Sequence, residues 1–133
     1  MFESIATFQS FCLVGIGAIT GSWIRMRLAN LIASISSIKY LGTVIINLFS
    51  AFCLGLVFAF LPFSDNSSVN KTTPIFLLIC VGFLGSLSTF STFVLDLLNL
   101  LLKSHWRQSL FLVLLSVLGG LFAVALGLVL GSL

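Results

Sequence analysis

The chain has 133 residues, 59% hydrophobic and 7% charged, with a mean hydropathy of +1.28, whereas soluble domains carry about 25% charged residues. So few polar groups cannot coat a water-soluble globule of this size, and lipid must be the solvent for most of its surface. The net charge of +3, from six Lys and Arg against three Asp and Glu, is too thin and scattered for a nucleic-acid footprint.

Uncharged stretches cover 4–24, 40–64, 72–95 and 108–133. Each holds the roughly 20 apolar residues that cross a hydrocarbon core about 30 Å thick at about 1.5 Å per helical residue. With polar ends trimmed, the expectation is an all-α polytopic membrane protein. It forms a single four-helix domain over 1–133, with spans at about 5–24, 41–61, 75–97 and 109–131. The first stretch follows Glu3 with no preceding Lys or Arg and is longer than a signal-peptide core, so it reads as a helix and not as a secretory signal. Residues 25–39, 62–74 and 103–107 read as the three connections; the second is a surface loop containing Ser64-Asp65-Asn66-Ser67-Ser68 between two prolines.

Trp23, Tyr40 and Trp106 fall at span ends, where amphipathic rings anchor helices at the headgroup level. Cys12, Cys53 and Cys80 lie inside spans without metal-ligand spacing and behave as small apolar residues. The single histidine, His105, sits in a short loop without partners for metal or proton chemistry. Arg25, Arg27, Lys39, Lys103 and Arg107 belong to the first and third connections, against Lys71 alone in the second. The positive-inside rule therefore predicts cytoplasmic first and third connections, both termini outside and insertion in one orientation.

Glu3 is terminal, Asp65 lies in a loop, and Asp96 follows the third uncharged stretch near Lys103, which makes it an interfacial acid rather than a buried proton carrier. No Ser-His-Asp set, Cys-His pair or cluster of metal-binding side chains supports an enzyme. The third span is different. From Ser86 to Thr92, Ser86, Ser88, Thr89, Ser91 and Thr92 carry hydroxyls, preceded by Gly82 and Gly85. Two readings have equal weight: a discontinuous helix whose freed backbone groups are re-bonded or hold an ion, and tight packing through small residues. Phe90 and Phe93 share a helix face with ring edges able to face an anion, unless they simply fill a core. Asn47 is the one amide of the second span, able either to donate two hydrogen bonds to an anion or to join two helices.

Taken together, these residues resemble the Fluc, or CrcB-type, fluoride channels. The run Gly17-Ala18-Ile19-Thr20-Gly21-Ser22-Trp23-Ile24-Arg25 is similar to that family's first-helix pattern, and Gly42-Thr43 with Asn47 and Gly55 to its second. The closest match is Gly82-Phe83-Leu84-Gly85-Ser86-Leu87-Ser88-Thr89-Phe90-Ser91-Thr92-Phe93, similar to the family signature Gly-Gly-Phe-Thr-Thr-Phe-Ser-Thr-Phe; the resemblance covers roughly residues 15–97.

The resemblance implies a broken third helix and an antiparallel, dual-topology-type dimer in membrane lipid, with two fluoride pathways. It implies a structural sodium ion at the dimer axis, held by backbone carbonyls placed on Gly85 and Ser88. It also implies that Asn47, Phe90, Phe93 and the fourth-helix Ser116 line the pathway, with Arg25 near a vestibule. The matching activity is passive export of fluoride from the cytoplasm across a prokaryotic plasma (inner) membrane, relieving its toxicity. The chain departs from the family pattern at Ser50 (usually Gly), Ser88 (usually Thr) and Asp96 (usually Glu), and its fourth helix offers Ser116, then Gly119-Gly120, where the family carries several hydroxyls. That sparse track and the charge bias together point to a heterodimer with an oppositely oriented homologue, with a homodimer as the other reading. The competing functions are a small multidrug-type cation exporter, which would need a membrane-embedded Glu that residues 5–24 lack, and a non-transporting membrane assembly subunit.

Overall fold

The computed structural model describes residues 2–35, 40–60 and 74–133, with side chains from residue 7 onward. Its elements are α1 (Phe2–Ile35), α2 (Tyr40–Phe60), α3 (Leu77–Leu84), α4 (Gly85–Leu87), α5 (Phe90–Leu102) and α6 (Trp106–Gly131). The described residues contain no strand. Four segments are long and apolar enough to cross a membrane: Thr7–Ile35, Tyr40–Phe60, Pro74–Leu102 and Trp106–Gly131. The chain is a multi-pass membrane protein, with α3, α4 and α5 sharing the third crossing.

Two boundaries differ from the sequence expectation. The first helix does not stop at residue 24 but continues through Arg25 and Arg27 to Ile35. Residues 22–35 contain neither Gly nor Pro, while Met26, Leu28, Ala29 and Leu31 all favour the helix. Charge ends an uncharged stretch without ending a helix, so most of the expected first connection is helical. The third crossing likewise runs past residue 97 through a leucine-rich turn to Leu102. The chain then reverses at Ser104, in the left-handed region with φ 58°, where Ser104 N–H donates to Leu101 O at 2.9 Å and His105 N–H to Leu100 O at 3.0 Å. Lys39, Lys71 and residues 62–73 of the expected second connection lie outside the described residues, while Pro74 already belongs to the third crossing.

Glycines set how closely the helices approach. A Cβ added at Gly17 of α1 would lie 2.9 Å from Phe83 N and 3.0 Å from Gly82 Cα of α3. One added at Gly127 of α6 would lie 2.9 Å from Leu56 N of α2, beside Gly55. Backbones in such contact gain dispersion along their length, the main attraction between helices in a solvent as apolar as they are. Two side-chain cores complete the packing. Ile46, Leu84 and Leu87 form one with Ile24, Leu28 and Phe83 around it; Val44, Leu100 and Leu112 form the other with Leu48, Phe93 and Leu115. Val44 and Ile46 are two residues apart and so point to nearly opposite sides of α2. The second helix thus stands between α1 with the start of the third crossing and α6 with its end.

Candidate functional site

The third crossing leaves helical geometry at two residues. Ser88 has φ −83° and ψ 123°, and Thr89 has φ −130° and ψ 121°, both extended, between α4 and α5. Upstream, α3 is already widened to π-helical winding, with the Gly85 N–H donating to Cys80 O; such turns are rare and often sit at functional sites. Ser88 N–H still donates to Leu84 O at 3.0 Å. The Thr89 N–H does not continue the ladder to Gly85 O. It donates to Asn47 Oδ1 of α2 at 3.2 Å.

The hydroxyls divide between the two readings of the sequence. Ser86 Oγ donates to Phe83 O at 3.0 Å and abuts Gly21 of α1, so Gly82 and Ser86 serve close packing. Thr89 Oγ1 donates to Ser86 O at 3.3 Å and Thr92 Oγ1 to Thr89 O at 3.2 Å, bonding one carbonyl before the extended pair and one within it. Ser50 is 2% exposed, and its Oγ donates to Ile46 O at 2.9 Å. The buried hydroxyl at this position leaves no donor unmet.

One residue pair was not legible as a site in the sequence. Thr43 Oγ1 donates to Asp96 Oδ2 at 2.7 Å. Thr43 and Asn47 are four apart on one face of α2, and Asp96 lies seven residues beyond Thr89. The two bonds therefore form an antiparallel polar seam between α2 and α5. The spacing of Thr43 to Asn47 was the available signal, but one sequence does not say which helix faces which.

A cavity of about 290 Å³ is bordered by Asn47, Ser88, Phe90, Phe93, Ser116 and Gly120, among others. Four of the expected pathway residues thus come together from α2, α5 and α6. The rings of Phe90 and Phe93 have centroids 5.8 Å apart and planes tilted by 36°. Ser116 Oγ is buried without a hydrogen-bond partner. A Cβ at Gly120 would meet nothing within 4 Å. A second cavity, of about 270 Å³, is bordered by Ser50, Cys80, Gly85 and Ser88; Ser88 and Ala51 border both. Arg25 borders neither. It is half-buried within α1, with its Nε out of contact with solvent and unpaired.

The first cavity offers hydrogen-bond donors from an amide and two hydroxyls, aromatic rings whose edges carry partial positive charge, and the N-terminal end of α5. That set suits a small anion. The second is bordered by Gly85 and Ser88 at the C-terminal, carbonyl end of the continuous α3–α4 segment. Among the described residues no three His, Cys, Asp or Glu side chains gather as metal ligands.

The family model described as CrcB-like protein, Camphor Resistance (CrcB), matches residues 12–128. A relative named fluoride-specific ion channel FluC 1, from Prochlorococcus marinus (strain MIT 9313), is 45% identical over 115 residues, 86% of each chain. Another of the same name, from Parasynechococcus marenigrum (strain WH8102), is 42% identical over 120 residues, 90% of this chain and 91% of the relative. FluC of Francisella tularensis subsp. tularensis (strain FSC 198) is 37% identical over 115 residues, 86% of this chain and 88% of the relative. With the match spanning all four membrane crossings, the chain belongs to the CrcB-like family.

Proposed function

We propose that this chain forms a fluoride-specific channel that lets the ion leave the cytoplasm passively, with no chemical step. The observation that carries the reading is the convergence of Asn47, Phe90, Phe93 and Ser116 on one cavity beside the start of α5. Fluoride gives up its hydration only for comparable donors, and a narrow, largely apolar passage penalises anions that do not fit. The names of the relatives support the choice of ion. Outward flow fits an anion that accumulates inside after entering as its neutral acid, in a prokaryotic plasma membrane with both termini outside.

Sodium fits the second cavity as a structural ion. Thr89 N–H bonds Asn47, which leaves the Gly85 carbonyl without its helical donor, and Gly85 and Ser88 both border that cavity. Uncharged carbonyl oxygens at a helix C-terminal end are suitable ligands for a monovalent cation. Gly85 and Ser88 would hold it, and its positive charge would strengthen the field across the break.

The proposed assembly is an antiparallel dimer. Phe90 borders the cavity yet is 76% exposed, so one wall is open to a second subunit. A heterodimer is favoured by one-sided charge and by a fourth helix with Ser116 as its only hydroxyl at that cavity. Relatives named FluC 1 and FluC 2 both match this chain, which supports a homologue as partner.

The experiment is fluoride efflux from potassium-loaded liposomes with valinomycin, with chloride efflux as control. The chain is reconstituted alone and together with a homologue from the same source. Fluoride-selective efflux from the pair only is the expected result. Efflux from the chain alone would sink the obligatory heterodimer, and none in either preparation of folded protein would sink the channel reading.

A further inference from the structure

Asn47 directs two hydrogen-bonding groups at two different structures. Its Oδ1 accepts the Thr89 N–H at 3.2 Å, while the residue borders the 290 Å³ cavity with Phe90 and Phe93. Among the described residues its amide nitrogen has no protein acceptor. The Thr89 bond diverts the donor that would otherwise close the helix onto Gly85, a residue bordering the other cavity. An amide group is planar, so fixing Oδ1 also fixes the direction of both N–H bonds. One turn earlier, Thr43 holds Asp96 at 2.7 Å, and α2 cannot slide along α5 without breaking both contacts.

Resting on the reading of the two cavities as anion and cation sites, we propose that Asn47 is a positioning residue that couples them. Its bond to Thr89 keeps the Gly85 carbonyl free for the cation, and the same bond aims the amide donors at the anion. Ser88 borders both cavities and lies next to the bonded amide, so any return of Thr89 to the helical ladder moves a wall of each. The two sites are therefore set by one side chain. Neither can be rebuilt by mutation at this position without the other responding, unless the acceptor is kept.

Two substitutions separate the halves. Asn47→Asp keeps an acceptor for Thr89 and removes the amide donors; Asn47→Leu has similar size and removes both. The full chain with its partner, in nanodiscs and liposomes, is compared for three quantities. These are fluoride efflux, the rise in melting temperature when sodium replaces N-methylglucamine, and the amide resonance of 15N-labelled Thr89. Both variants are expected to lose fluoride efflux. The Asp variant keeps the sodium-dependent rise and a Thr89 resonance close to that of the unaltered protein, whereas the Leu variant loses the rise and shifts the resonance. A sodium-dependent rise equal in all three proteins overturns the coupling while leaving the fluoride reading intact. So does an unaltered protein that conducts fluoride but ignores sodium. If the unaltered protein conducts no fluoride, yet only the Leu variant loses its sodium response, the latch at Thr89 is upheld and the channel reading falls. Should the Asp variant fail to fold, the Leu variant, which carries no charge into the membrane, decides alone.

Discussion

Thr43 Oγ1 lies 2.7 Å from Asp96 Oδ2, one helical turn from the point where Asn47 takes the amide hydrogen of Thr89. Removing this hydroxyl leaves a half-buried carboxyl group short of a partner. Thr43→Val is expected to lower stability by about 1–3 kcal/mol, read as a fall in melting temperature in detergent micelles. Thr43→Ser should restore most of it, because the donor returns while only a methyl is lost. Equal stability of the Val variant and the unaltered protein would mean that the seam holds nothing together.

Backbone contact between α2 and α6 makes a second, sharper expectation. A Cβ at Gly127 would run into Phe52 O as well as Leu56 N, so Gly127→Ala must push the helices apart. Overpacking of this kind costs about 1–3 kcal/mol. Gly15→Ala is the matched control, with nothing within 4 Å of the added carbon, and it should be neutral or stabilising by up to about 1 kcal/mol through helix propensity. Thermal unfolding of the two variants side by side checks the pair. A Gly127 variant as stable as the Gly15 variant would contradict the close approach of the two backbones.

The four crossings were legible because their signal is collective: some twenty apolar residues in a row outweigh any local preference. Helix ends were less so. Arg25 closes an uncharged stretch, but the backbone follows propensity and continues to Ile35. The hydroxyl run at 86–92 drew attention to the right segment, yet composition alone could not assign its members. Ser86 packs on Gly21, while Thr89 bonds back to Ser86 O across an extended turn. Asn47 was legible as the lone amide of the second span, with donors available to an anion or to a neighbouring helix. Its carbonyl was not, since the Thr89 N–H it accepts is a backbone group, present at nearly every residue and marked by no letter in the sequence.

The tilted pair Phe90 and Phe93 gives a functional expectation. Replacing both by Ile keeps apolar volume and removes the polarised ring edges. If each ring contributes about 0.5–1.5 kcal/mol to holding the anion, fluoride efflux should fall by as much as about a hundredfold. The fold should survive, since Ile keeps apolar volume where Phe93 packs against Val44, Leu100 and Leu112 and Phe90 is 76% exposed in the single chain. Liposome efflux with size-exclusion elution of the same sample makes the comparison. Unchanged efflux would remove the rings from the pathway.

Charge placement yields a topological expectation. Among the described residues, Arg25, Arg27, Lys103 and Arg107 stand toward one end of the bundle, in the C-terminal third of α1 and around the α5–α6 turn. A chain with this bias should insert with both termini outside, in one orientation. Thiol labelling from each side of the membrane, using single cysteines placed at residue 104 and at the C-terminus of a Cys-free version, reads this directly. Equal labelling of residue 104 from both sides would show dual insertion and remove the main argument for an oppositely oriented partner.

Ser116 offers a case in which stability and transport should move in opposite directions. Its Oγ is shielded from solvent and makes no hydrogen bond, an arrangement that costs about 1–3 kcal/mol wherever a hydroxyl is desolvated without return. Removing the oxygen relieves that penalty, so Ser116→Ala should raise the melting temperature or leave it unchanged. If the hydroxyl is retained for the anion in the cavity it borders, the same change should lower fluoride efflux. A serine with no part in the pathway would show the same change in stability and leave efflux untouched. Measured together, the two quantities separate a hydroxyl that serves the ion from a substitution that damages the fold, because only the first lowers efflux while stability is kept.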